Sequence, residues 1–93
     1  MNEHWIDLAK DETIRVKASG ISPQGLQVWL TTEESYKQYK ADEEEGKNLW
    51  IETVGMPTLT NDSPQWTHKV ETAGRYVVMF YQSFADSIAI EKI

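Results

Sequence analysis

The run Tyr76–Ser83 is the feature of this sequence that most constrains its fold. Alternate positions of the run are apolar on both sides of a strand, with Tyr76, Val78 and Phe80 on one side and Val77, Met79 and Tyr81 on the other. A strand that is apolar on both faces is usually covered on both. We therefore predict that this strand is central in a sheet and that the other strands pack around it.

The residues after this run predict a closing hairpin. Residues 83–86 have the composition of a turn, and residues 87–92 alternate with Ile88 and Ile90 on the inner side. Two strand-like runs joined by a short turn are typical of an antiparallel hairpin.

Further alternating segments predict strands at residues 4–8, 13–18, 26–30, 48–54 and 65–71. Residues 13–18 carry Arg15 and Lys17 on one face, which indicates an outer or edge strand. Residues 55–64 contain two prolines and an Asn-Asp-Ser cluster, so we expect them to be irregular.

A short helix is predicted at residues 32–40. Thr31 followed three residues later by Glu34 matches a capping box, and acidic side chains suit the positive end of a helix. Tyr36 and Tyr39 are three residues apart and would share one side of this helix.

These elements predict a mostly β fold: one antiparallel β-sandwich spanning residues 1–93, GOLD-like or jelly-roll-like, with one short helix near 32–40. A small barrel is the alternative. The predicted core is aliphatic and aromatic, and comprises Ile14, Val16, Leu26, Val28, Leu30, Leu49, Ile51, Val70, Val78, Phe80, Ile88 and Ile90.

Two segments carry a resemblance to a known family. Residues 26–39, LQVWLTTEESYKQY, combine an apolar strand, a few polar residues and two aromatics three apart, and residues 73–80, AGRYVVMF, combine Gly-x-Tyr with alternating apolar residues. The pair resembles small GOLD-like (emp24-like) β-sandwich domains, among them uncharacterised bacterial families. The resemblance implies a sandwich of about eight strands that serves interactions without catalysis, and it implies no particular ligand.

The net charge narrows the classes of partner, and the cysteine content and the first residues bear on the cellular compartment. The net charge of −6 argues against nucleic acid and against an anionic membrane surface. The sequence has no cysteine, and its first residues show no basic segment followed by an apolar one. Both features favour a cytoplasmic protein, with an excised extracellular domain as the alternative, so the compartment stays open.

The four tryptophans are the most suggestive candidates for ligand contact. Trp29 and Trp50 each lie on the face opposite the aliphatic residues of their predicted strands. If those strands are neighbours, the two rings form an exposed pair that can stack on a sugar. The alternative, which we favour, is that both rings cover the second sheet face or pack under Tyr36 and Tyr39.

Catalytic and metal-binding patterns are weak in this sequence. It has no Gly-x-Ser-x-Gly elbow, and an enzyme would need His68 in a pocket beside a carboxylate. The contiguous acids at residues 42–45 lack the alternating spacing of a calcium loop, and the spacing of His4 and His68 suggests no zinc site. We therefore predict neither an enzyme nor a cofactor or metal.

The sequence as a whole predicts a non-catalytic interaction module that binds a protein partner or assembles with copies of itself. The alternative is a carbohydrate-binding module that uses exposed tryptophans. The candidate ligand-binding residues are Trp29, Trp50, Tyr36 and Tyr39, and we expect residues 55–64 to contribute contacts.

Overall fold

The computed structural model describes residues 1–47 and 50–93. Within these residues the strands are β1 (Asn2–Leu8), β2 (Thr13–Ser19), β3 (Leu26–Thr32), β4 (Thr58–Leu59), β5 (Gln65–Lys69), β6 (Gly74–Phe80) and β7 (Ser87–Lys92). Helix α1 (Glu33–Glu44) follows β3, and a 3-10 turn spans Gln82–Phe84. The described strands form two antiparallel sheets with the orders β1-β6-β3-β4 and β5-β2-β7. The predicted class, a mostly β antiparallel sandwich with one short helix, is confirmed.

Strand β6 is central, as predicted from its two apolar faces. It pairs with β1 on one side and with β3 on the other. Tyr76, Val78 and Phe80 belong to the core between the sheets. Val77 and Met79 are buried on the opposite face, which we call the outer face. A strand with two neighbours and two covered faces therefore needs apolar residues at every position, as this run has.

The predicted C-terminal hairpin is wrong, because β7 pairs with β2 in the other sheet. Both edges of β6 are already taken by β1 and β3, so β7 cannot add to it. The 3-10 turn carries the chain across, and the Asp86 amide donates to the Ser19 carbonyl at 2.9 Å. The turn at residues 83–86 is predicted correctly, but a turn alone does not determine which strand the residues after it pair with.

The predicted strand at 48–54 is also wrong over the residues that can be compared. Asn48 and Leu49 lie outside the described residues, and residues 50–54 are not in a strand. Gly55 makes an isolated bridge with Leu30, and the chain then enters β4. Residues 52–55 hydrogen-bond to Leu30 and Thr31 of β3, and β4 then forms the regular pairing with β3. Residues 55–64 are accordingly less irregular than expected.

Strand β2 lies in the middle of its sheet, between β5 and β7, and the prediction of an edge position is wrong. Its wet face was predicted correctly: the Arg15 guanidinium meets the Glu91 carboxylate at 2.6 Å on that side. A polar face shows that no layer covers one side of a sheet, and it carries no information about lateral neighbours.

The core lies between the sheets and follows the prediction closely. Eight predicted residues are buried in it: Ile14, Val16, Leu26, Val28, Leu30, Val70, Val78 and Phe80. Ile88 and Ile90 are partly buried and pack against it. Ile51 is only half-buried and is not part of this cluster, and Leu49 lies outside the described residues.

Helix α1 begins one residue later and ends four residues later than predicted. Thr32 is its N-cap, and the Thr32 hydroxyl accepts from the Ser35 amide at 3.2 Å. The predicted capping box at Thr31 is therefore wrong. Thr31 is fully buried in β3, and its hydroxyl donates to the Glu52 carbonyl.

Candidate functional site: an apolar groove on the outer face

Helix α1 covers the half of the outer face that contains Trp5, Val77 and Thr31. One cross-strand row there runs from Trp5 through Val77 to Thr31. The Tyr36 ring meets the Trp5 ring edge to face, with 4.9 Å between centroids. The Arg75 guanidinium lies 4.7 Å from the centre of the Trp5 ring and 3.4 Å from the Glu33 carboxylate. These contacts hold the first half of the helix onto the sheet.

The next row of the outer face forms the floor of an open groove. The row runs from Glu3 through Met79 to Trp29, and Met79 and Trp29 line the groove. Met79 is buried and Trp29 is half-buried. The Tyr81 ring meets the Trp29 ring edge to face at 6.3 Å and is 42% exposed, so the apolar surface continues past the groove.

The walls of the groove come from three separate parts of the chain. The second half of α1 contributes Tyr39, the segment before β4 contributes Trp50, Ile51 and Met56, and the N-terminal residue is Met1. The volume of the groove is about 270 Å³. Trp50 is 77% exposed and Met56 is 59% exposed. Such large apolar side chains, clustered and open to water, are typical of a contact surface.

Hydrogen bonds to β3 hold the Trp50–Met56 wall in place. The Thr31 hydroxyl donates to the Glu52 carbonyl at 2.5 Å, and the Val54 amide donates to the Leu30 carbonyl at 2.8 Å. The Gln27 side-chain amide donates to the Met56 carbonyl at 3.2 Å. The wall is therefore fixed through its backbone, which leaves its apolar side chains directed to the groove and to solvent.

Three of the four predicted ligand-binding residues line this groove. Trp29, Trp50 and Tyr39 are brought together, although Trp50 is not on a neighbouring strand as expected. Tyr36 is not among the lining residues, because it faces Trp5 at the covered half of the sheet. Of the irregular stretch expected to contribute contacts, Met56 does so.

Sequence reasoning missed the methionines that complete the groove: Met1, Met56 and Met79. All three methionines of the chain line it. Methionine is flexible and polarisable and is over-represented on surfaces that adapt to a partner. An isolated methionine in a sequence carries no positional signal, so only their position in the fold reveals the cluster.

The helix face beside the groove carries charges of both signs and an acidic end. The Lys40 ammonium lies 5.6 Å from the centre of the Tyr36 ring and 5.9 Å from that of Tyr39. The Tyr36 hydroxyl donates to the Glu3 carboxylate at 2.5 Å, and this bond, with burial and the nearby charges of Glu3 and Glu43, raises the pKa of Tyr36 to about 12. Each of these factors favours the neutral phenol.

A second, more polar depression of about 700 Å³ lies at one end of the sandwich. It is lined by the start of α1 and by the connection between β5 and β6, and it includes His68, Glu34 and Glu71. The His68 ring stacks on Trp66 at 5.4 Å with 22° between the planes. Among the hydrogen bonds of the described residues, none joins His68 to a carboxylate.

Two further searches cover residues 1–47 and 50–93. No group of three or more His, Cys, Asp or Glu side chains in this part of the chain is placed to hold a metal ion. Over the same residues, no helix is long and apolar enough to cross a membrane.

Fold and groove together define a small antiparallel β-sandwich with an open apolar groove beside a helix. Comparison with family models, with curated proteins and with solved structures gave no match for this chain. The resemblance to GOLD-like domains therefore stays a prediction from the two sequence segments.

Proposed function

We propose that this chain is a non-catalytic interaction module and that the groove between α1 and the Trp50–Met56 wall binds a protein partner. The observation that carries this proposal is the exposure of Trp50, at 77%, next to exposed methionines. Tryptophan and methionine are enriched in protein–protein contacts, where they supply large adaptable apolar area. A soluble chain gains nothing in stability from leaving such side chains in water.

The open shape of the groove supports a protein partner over a small-molecule substrate. Small-molecule pockets enclose most of their ligand. The groove is about 270 Å³ and open. A cavity of about 150 Å³ holds one benzene-sized group, so this groove has room for one or two bulky side chains of a larger partner.

Binding of a partner chain is favoured over assembly with copies of this chain. Every copy carries a net charge of −6, and like charges oppose association. The GOLD-like resemblance gives the same expectation of an interaction domain.

Carbohydrate binding is the second candidate, and the exposed Trp50 ring is what favours it. Sugar sites combine a stacking ring with side chains that hydrogen-bond the hydroxyl groups. The groove offers the Tyr39 hydroxyl and the indole N–H groups of Trp29 and Trp50, while the other lining side chains are aliphatic or methionine. This balance places the sugar hypothesis second.

Affinity capture with a matched control tests the proposal. Wild-type chain, Trp50→Ser and Ile93→Ser are immobilised and exposed to an extract of the source cells. Ile93 is 59% exposed and follows β7 in the other sheet, so Ile93→Ser removes an exposed apolar side chain away from the groove. We expect a protein retained by wild type and Ile93→Ser and lost with Trp50→Ser. Identical retention by all three, with amide NMR shifts near Trp50 on adding oligosaccharides, would replace this proposal with the sugar-binding one.

A further inference from the structure

The groove adjoins an acidic helix end that the fold itself does not neutralise. The last turn of α1 and the residue after it are Asp42, Glu43, Glu44 and Glu45, and the last turn contains no basic residue. The C-terminal end of a helix carries partial negative charge and is stabilised by cations. Four carboxylates at this end are therefore unfavourable in the isolated chain.

Internal contacts engage only part of this charge. The Glu45 carboxylate meets the Lys47 ammonium at 2.6 Å, and the Asp42 carboxylate accepts from the Gln38 amide at 2.9 Å. Among the ion pairs of the described residues, none involves Glu43 or Glu44. Both residues are exposed and remain open to an incoming cation.

Within the acidic end, Glu43 is on the same side of the helix as the groove. Tyr39 lines the groove, and Glu43 follows it by four residues, which is one helical turn on the same face. Glu3 pairs with Met79 of the groove floor, and its carboxylate accepts from the Tyr36 hydroxyl. Lys40 lies beside the Tyr39 ring, and the whole chain carries a net charge of −6.

We infer that the occupant of the groove is a short segment of a partner protein in which one or two bulky apolar side chains are flanked by Lys or Arg. The apolar side chains enter between Trp29, Trp50 and Tyr39. The basic side chains meet Glu43, and Glu44 adds negative charge at the same end of the helix. This inference rests on the proposed function, and it adds the chemical class of the partner.

Selection from a random twelve-residue peptide library on the whole chain tests this inference, at about 150 mM salt, where charges act over about 8 Å. We expect enriched peptides to combine apolar residues with an excess of Lys and Arg. Trp50→Ser should weaken the binding of such a peptide by about tenfold or more, as the loss of a buried aromatic contact does. Glu43→Lys/Glu44→Lys should weaken its binding about two- to thirtyfold, since two exposed carboxylates worth roughly 0.2–1 kcal/mol each are lost and a tenfold change is about 1.4 kcal/mol. Circular dichroism of the variants shows that they fold.

Three other outcomes overturn the inference and separate it from the proposed function. Apolar peptides without basic excess that still depend on Trp50 would leave the proposed function standing and remove the charge requirement. Basic peptides that bind Trp50→Ser and wild type with the same affinity would show attraction to the acidic surface alone, with no role for the groove. Absence of any enriched peptide would exclude a short basic segment, and a Trp50-dependent partner from cell extract would then have to dock as a folded surface.

Discussion

Trp5 of β1 and Tyr36 of α1 meet edge to face, with 4.9 Å between ring centroids and 83° between the planes. This pair fixes where the helix ends its coverage of the outer face. The Tyr36 hydroxyl reaches past Trp5 to the Glu3 carboxylate at 2.5 Å. Beyond this contact, at Met79 and Trp29, the helix no longer covers the sheet, and the groove begins.

The pairing of Tyr36 with Glu3 predicts a distinctive titration. The pKa of Tyr36 is raised to about 12, whereas the unfolded chain has the ordinary value near 10. Because the folded pKa is the higher one, the stabilisation is fully present below pH 10 and is lost as the pH rises through about 12. We expect Glu3→Ala to return the phenol towards its ordinary pKa, measured by absorbance at 295 nm, with Tyr36→Phe to assign the signal. Asp7→Ala, which removes another β1 carboxylate, should leave Tyr36 unchanged, and an equal drop in both variants would contradict this prediction.

Gly55→Ala should destabilise the fold because a Cβ at this position would overlap the ring of Trp66. That ring is half-buried against the core and stacked on His68, so it cannot easily move aside. Forcing extra volume into a packed site costs about 1–3 kcal/mol of unfolding free energy, which urea denaturation measures. Gly74→Ala is the matched control, since no neighbouring atom lies within 4 Å of its added Cβ. Equal stability of the two variants would show that Trp66 does not occupy this position.

Asn61 holds the loop before β5 against the core through hydrogen bonds, and its replacement should destabilise the fold. Its side-chain oxygen accepts from the Ile21 amide at 3.0 Å and its amide donates to the Ile21 carbonyl at 2.8 Å. Since Ile21 is buried, Asn61→Ala leaves two backbone groups without partners and should cost about 1–3 kcal/mol. Asp62 is exposed like Asn61, but among the hydrogen bonds and ion pairs of the described residues its side chain makes none, so Asp62→Ala should change stability by less than about 0.5 kcal/mol. Thermal melting of both variants decides whether the paired amide matters.

The layering of the fold was predictable, because burial leaves a direct record in sequence. Val77 and Met79 are apolar beside Val78 and Phe80, and this pattern indicated correctly that β6 is covered on both faces. The order of the strands within each sheet leaves no such record in the sequence. Ser87 pairs with Ser19 of β2 across the length of the chain, and no local pattern encodes a partner that distant.

The candidate site was predictable only in part, for the same reason. Trp29 alternates with the aliphatic residues of β3, so its position on the outer face followed from the strand period. Trp50 reaches the groove from a segment without regular pairing, and Met1 comes from the other end of the chain. Residues that meet through tertiary packing alone have no common period, so sequence analysis could nominate Trp50 but not its neighbours.

Thr31→Val tests how the Trp50–Met56 wall is held. Thr31 is fully buried, and its hydroxyl donates to the Glu52 carbonyl at 2.5 Å. Valine keeps the shape but leaves that carbonyl without its partner, at a cost of about 1–3 kcal/mol. We expect faster hydrogen exchange of the Val54 amide, which donates to Leu30 in the same segment. Thr67→Val, at an exposed position of β5, is the control, and unchanged exchange at Val54 in both variants would show that the hydroxyl does not hold the wall.

Acrylamide quenching of tryptophan fluorescence tests whether the groove is open in solution. Trp50 is 77% exposed, whereas Trp5, Trp29 and Trp66 are half-buried against neighbouring rings or the core. We therefore expect one readily quenched, red-shifted component that Trp50→Phe removes and that Trp29→Phe leaves in place. Quenching that falls as protein concentration rises would mean that a second copy covers the ring, because burial in a dimer protects an indole that is exposed in the monomer. Protection of every indole at all concentrations would mean that the 50–56 segment closes over the groove, and the surface proposed for partner binding would then not exist in the free chain.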